Sequence, residues 1–83
     1  MLPKIATVKP LENYKLLITM LDGRRFLYDV SDDIVTLKAF APLKTEYKLF
    51  EQVQIDSSKT CIYWSDEIDL PSDTLVEYGK QIA

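Results

Sequence analysis

Residues 60–75 read TCIYWSDEIDLPSDTL and contain the only Trp, the only Cys and the densest acidic cluster of the 83-residue chain. Their first five positions are β-branched, aromatic or sulfur-bearing, a composition that predicts a strand over 60–64. Ser65, Asp66 and Glu67 then turn the chain. Ile68 and Leu70 bring it back to the core, and Pro71 suits the first turn of a closing helix over 71–80. In that helix Leu75, Val76 and Tyr78 can pack, and Gly79 suits the C-terminal stop. A buried strand handed directly to a docked helix gives the rest of the chain a surface to close against.

Upstream, residues 52–56 (QVQID) alternate, which turns Val53 and Ile55 inward and the Gln residues outward; residues 57–59 form the turn into the next strand. At the other end of the chain, residues 5–9 (IATVK) are a short strand stopped by Pro10, which places it at a sheet edge or strand end. Residues 14–21 and 24–30 flank Asp22-Gly23, a pair that tolerates the positive φ of a two-residue type I′ hairpin. That turn pairs Leu21 with Arg24, Thr19 with Phe26 and Leu17 with Tyr28. Leu17, Leu21, Phe26 and Tyr28 then share one face, and Leu16, Ile18, Met20 and Leu27 the other. A hairpin apolar on both faces needs cover on both.

Between the hairpin and residue 52, Ser31 or Asp32 can cap a short helix over 33–39, with Ile34, Leu37 and Phe40 turned to the sheet. Pro42 ends it. Thr45 caps a further turn over 46–50, with Leu49 and Phe50 inward. The expected fold is a single α+β domain over 1–83. It has an antiparallel sheet of about five strands with short helices, in the order β-β-β-α-β-β-α.

Composition excludes more than it assigns. There is no His and one Cys, so there is no imidazole acid–base pair, no internal disulfide and no ordinary zinc site. Two glycines cannot build a phosphate-binding loop or a dinucleotide fingerprint. Net charge is −3, and the basic residues are scattered along the chain without a clustered stripe, against direct nucleic-acid binding. No apolar run approaches the ~20 residues of a membrane span. An unpaired Cys without an export signal points to the cytoplasm. Small chains gain from added burial, which favours a protein partner or self-association.

Asp66, Glu67, Asp69 and Asp73 could in principle hold a hard cation, but the segment lacks the central Gly of a calcium loop. A solvated turn and a helix start account for the acids, and no metal or cofactor is expected. Cys61 within a strand reads as an inert core residue rather than a reactive thiol. Arg24-Arg25 after the hairpin tip reads as solvated. Tyr63 and Trp64 point to opposite faces, and either can pack in the core or anchor an interface.

A set of features runs through the chain in order: Val8-Lys9-Pro10; Tyr14-Lys15-Leu16; Asp22-Gly23 with Phe26 and Tyr28-Asp29-Val30; Phe40-Ala41-Pro42-Leu43; Phe50, Val53, Ile55-Asp56, Ile62, Trp64, Ile68-Asp69, Leu75, Glu77 and Gly79. In that order and spacing they resemble domain-of-unknown-function family 2442. Asp66-Glu67 departs from the Gly-containing turn of many members. The resemblance implies a small α+β domain without established catalytic residues. Such a domain either precedes a helix-turn-helix segment or stands alone beside a second small protein in a toxin–antitoxin-type pair. With its end at Ala83, the chain resembles the stand-alone kind. The expected function is thus a non-catalytic protein-interaction module, the antitoxin-like or regulatory half of a two-protein unit. The alternative is a small-ligand sensor domain. Leu16, Ile18, Met20, Leu27 and Trp64 are the candidate partner-binding residues.

Overall fold

The chain builds two antiparallel sheets that close on one hydrophobic cluster, as seen in a computed structural model that describes residues 2–83. The first sheet comprises β1 (Ile5–Leu11), β2 (Lys15–Met20), β3 (Arg25–Asp29) and β7 (Lys80–Gln81), in the order β1-β2-β3-β7. The second comprises β4 (Gln54–Ile55), β5 (Cys61–Ser65) and β6 (Ile68–Pro71), in that order. Between β3 and β4 lie α1 (Ser31–Thr36), α2 (Pro42–Thr45) and two one-turn 3₁₀ segments, Lys38–Phe40 and Phe50–Gln52. The helix α3 (Ser72–Tyr78) leads from β6 to β7.

The α+β class and the antiparallel pairing agree with the sequence, but five strands in one sheet become seven strands in two. Residues 68–71 pair with β5, Ile62 opposite Leu70, and so form a strand where a bare re-entry was expected. Lys80 and Gln81 pair with Leu27 and Phe26, adding a strand after α3. β1 lies at an edge, one of the two places expected for it, but Pro10 does not stop it: the strand runs on to Leu11, with Pro10 opposite Leu16, because an edge position needs no N–H from Pro10. Its Ile5 N–H donates to the Lys59 carbonyl at 2.7 Å, tying the first sheet to the turn before β5.

The hairpin differs from expectation by one residue. Its loop is three residues long, not two. Met20 N–H donates to the Arg24 carbonyl at 2.8 Å, and Gly23 N–H donates to the Met20 carbonyl at 3.0 Å. Gly23 takes φ 94, the left-handed residue that a three-residue hairpin loop needs. The pairs are Ile18 with Phe26, Leu17 with Leu27 and Leu16 with Tyr28. A one-residue slip moves every side chain of one strand to the other face. Leu16, Ile18 and Met20 thereby join Phe26 and Tyr28 on the inner face, all buried, while Leu17 and Leu27 lie together on the outer face, half-buried. The hairpin is apolar chiefly on one side, the usual state of an antiparallel sheet.

The arm over 31–52 folds onto the core through aromatic rings. Trp64 stacks on Phe50 at 5.9 Å and meets Phe40 edge to face at 6.3 Å; Tyr14 meets Phe50 edge to face at 5.3 Å. Trp64 Nε1 donates to the Phe50 carbonyl at 2.9 Å. Leu37 and Tyr78, expected inward, are exposed: α1 ends at Thr36, before Leu37, and the buried side of α3 carries Ser72 and Leu75, not Tyr78. Pro42 starts α2 rather than merely ending a helix, in keeping with its suitability for the first helical turn.

Candidate functional site

Alternation along the first sheet sorts its residues into a buried and an open set. Outward on β1 are Thr7, Lys9 and Leu11; on β2 Lys15, Leu17 and Thr19; on β3 Arg25, Leu27 and Asp29; on β7 Lys80. One row across the four strands reads Lys9–Leu17–Leu27–Lys80. Leu17 and Leu27 are half-buried by each other and by their strand neighbours and do not belong to the central cluster. Ile82, whose N–H donates to the Arg25 carbonyl at 2.9 Å, extends the face beyond β7 and is half exposed. Lys9, Lys15, Arg25 and Lys80 against Asp29 make this face +3 in a chain whose total is −3.

Four cations scattered over the sequence are thus gathered on one surface. No clustered basic stripe is visible in sequence because neighbours on a sheet face come from different strands. The signal was the alternation itself, Lys-x-Leu-x-Thr on β2 and Arg-x-Leu-x-Asp on β3, legible only once the register is fixed.

Of the expected partner-binding residues, Leu27 alone is on this face. Leu16, Ile18 and Met20 are at most 2% exposed and Trp64 is buried at 8%. They build the interior and offer no surface, since the three-residue loop turns the first three inward and the Phe50 carbonyl holds the indole.

The remaining candidates are satisfied locally. Asp56 accepts from Ser58 Oγ at 2.7 Å and from the backbone N–H groups of Thr60 and Cys61 at 3.1 Å each. The Ser58 hydroxyl foremost, with those N–H groups, lowers its pKa below the ordinary 3.8. Asp22 accepts from the Arg24 N–H at 3.0 Å and from its Nε at 2.8 Å, and is lowered chiefly by the backbone bond. Asp29 accepts from Ser31 N–H at 2.9 Å and is lowered mainly by its hydrogen bonds with Ser31. Tyr28 donates to Asp33 Oδ2 at 2.7 Å, and burial, ahead of that carboxylate, raises the phenol pKa.

Cys61 is half-buried on the second sheet rather than in the core, and burial pushes its thiol up, away from the reactive thiolate. Asp66, Glu67, Asp69 and Asp73 are exposed. Among the described residues no group of three His, Cys, Asp or Glu is placed to hold a metal ion. Grooves of about 520 Å³ beside Tyr14 and Tyr47 and about 530 Å³ beside Cys61 and Asp69 open to solvent. No helix among the described residues is long and apolar enough to cross a membrane.

Fold and surface together define a small antiparallel α+β module whose first sheet turns a cation-bordered outer face to solvent. The chain belongs to the family described as "Protein of unknown function (DUF2442)", whose model matches residues 5–81. No curated protein and no solved structure matches it.

Proposed function

We propose that this chain is a non-catalytic protein-interaction module, the antitoxin-like or regulatory half of a two-protein unit, that works by docking a partner and covering part of its surface. The observation that carries this reading is the outer face of the first sheet, where Leu17 and Leu27 stay clear of the central cluster and are ringed by cations. Two leucines side by side on a flat sheet offer a partner apolar area at little ordering cost, because strands already fix them. A small-ligand sensor gains less support, since the two larger grooves are open rather than enclosed.

The test is co-expression with each neighbouring gene product, followed by light scattering of the purified material. A 1:1 complex that Leu27→Glu abolishes, without loss of the fold by circular dichroism, is the expected result. A chain that stays alone with every neighbour, or a complex indifferent to Leu27→Glu, overturns it.

A further inference from the structure

The charge and width of the outer sheet face point to one kind of occupant: we propose that it seats an acidic amphipathic helix of a partner protein. This inference rests on the interaction-module reading and deepens it. Lys9 and Lys80 stand at the two ends of the row whose middle is Leu17 and Leu27. Strands about 4.8 Å apart put those two cations about 14 Å from each other at the backbone. A helix with its side chains is about 10–12 Å across, so one lying along the strands over the leucines brings both of its shoulders to a cationic edge. The outward positions of β2 run from Lys15 to Thr19, about 13 Å, which is the length of two to three helical turns. The sheet face is therefore matched to one helix and is far smaller than the ~800 Å² each partner gives to a standard domain–domain contact.

Other occupants fit less well. A second copy of this chain would stack one face of charge +3 on another of the same kind, a net repulsion. Single-stranded nucleic acid would find the cations, but the centre of the face offers leucines where base-stacking aromatics are needed. The helix that fits carries an apolar stripe at i, i+3, i+4 and i+7 with Glu or Asp on both shoulders, so Lys15 and Arg25 add pairs along its length.

The probe is a pair of synthetic helical peptides with one Leu stripe, flanked by Glu in the first and by Lys in the second. Binding to the full chain is read by fluorescence anisotropy and by amide chemical shifts. The Glu peptide is expected to bind about tenfold more tightly, the sum of a few exposed ion pairs, and its advantage to shrink in high salt. Shift changes are expected at Leu17 and Leu27, with none at Cys61 or Tyr63 on the second sheet. Lys9→Glu with Lys80→Glu, two exposed positions, should reverse the preference. Equal binding of the two peptides, shifts on another surface, or tighter binding of oligonucleotide or anionic vesicles than of the Glu peptide would overturn the proposal. If a neighbouring product co-purifies in a Leu27-dependent way while the Glu peptide shows no preference, the interaction reading stands and the acidic helix alone is lost. If no neighbour binds and the Glu peptide does, the neighbouring two-protein unit is lost and the acidic-helix site stands.

Discussion

The two glycines serve for different reasons, and substitution separates them. Gly23 has φ 94 and nothing within 4 Å of where a Cβ would sit, so its cost is purely conformational. Gly23→Val should destabilise by about 1–2 kcal/mol, because a β-branched residue resists left-handed backbone. D-alanine at 23, introduced by synthesis, should fold at least as stably as the natural chain. Gly79 has an ordinary φ of −76, yet a Cβ there would run into the Leu75 carbonyl oxygen, the acceptor of the Gly79 N–H. Gly79→Ala should therefore cost about 1–3 kcal/mol by overpacking against backbone, and D-alanine offers no conformational rescue. Urea denaturation of the four variants checks both statements. The buried indole works at the same scale. Trp64→Phe leaves the Phe50 carbonyl unpaired and should cost about 1–3 kcal/mol.

At the scale of the element, the hairpin register decides which leucines matter. Adjacent residues in sequence should behave as opposites. Leu16→Ala, within the core at 0% exposure, should cost about 2–5 kcal/mol. Leu17→Ala, on the outer face, should cost no more than about 1 kcal/mol. The register of a two-residue loop sets Phe26 and Leu27 on two faces that both need cover; the pairing seen here requires Phe26→Ala to cost more than Leu27→Ala. The turn before β2 is set partly by its own residues and partly by distant ones. Asn13 and Tyr14 both take positive φ, 61 and 59. Asn suits that region, whereas Tyr14 is held there by its ring against Phe50 and by the Val30 N–H on its carbonyl.

For the whole molecule, no histidine couples stability to pH through neutrality, since the chain has none. Asp22, Asp29 and Asp56 have folded pKa values below their ordinary 3.8. Their contribution is complete above that value and is lost as pH falls through the folded values. Cys61 and Tyr28 are raised above 9.0 and 10.0, so their contributions are complete below those values and lost as pH rises beyond them. The melting temperature should accordingly be flat from about pH 5 to 8.5 and fall on both sides. Tyr28→Phe should weaken the alkaline fall while leaving the acid one. A melting temperature that varies across neutrality would contradict this assignment.

Several elements were legible in the chain alone because their causes are local. β-branched residues and Pro10 set the β1 edge, an Asp-Gly pair set a hairpin with Gly23 at positive φ, and the run at 60–64 set a strand, while which of Tyr63 and Trp64 packs inward was decided only by the fold. The strand β6 was half legible: Ile68 and Leu70 showed the alternation, but pairing with β5 is a contact between segments and leaves no mark in either. The exclusions of zinc, disulfide and phosphate-loop chemistry also stand on residue counts. What tertiary structure decided was every property that depends on register. Asp-Gly is compatible with a loop of two or of three residues, and the difference of one residue exchanges the faces of a whole strand. Only closure on Leu75, Ile62 and Trp64 selects the version that buries Leu16, Ile18, Met20, Phe26 and Tyr28 together. The same choice sends Leu17 and Leu27 outward and gathers Lys9, Lys15, Arg25 and Lys80 around them, because residues far apart in sequence become neighbours across strands only when the core has fixed which side is in.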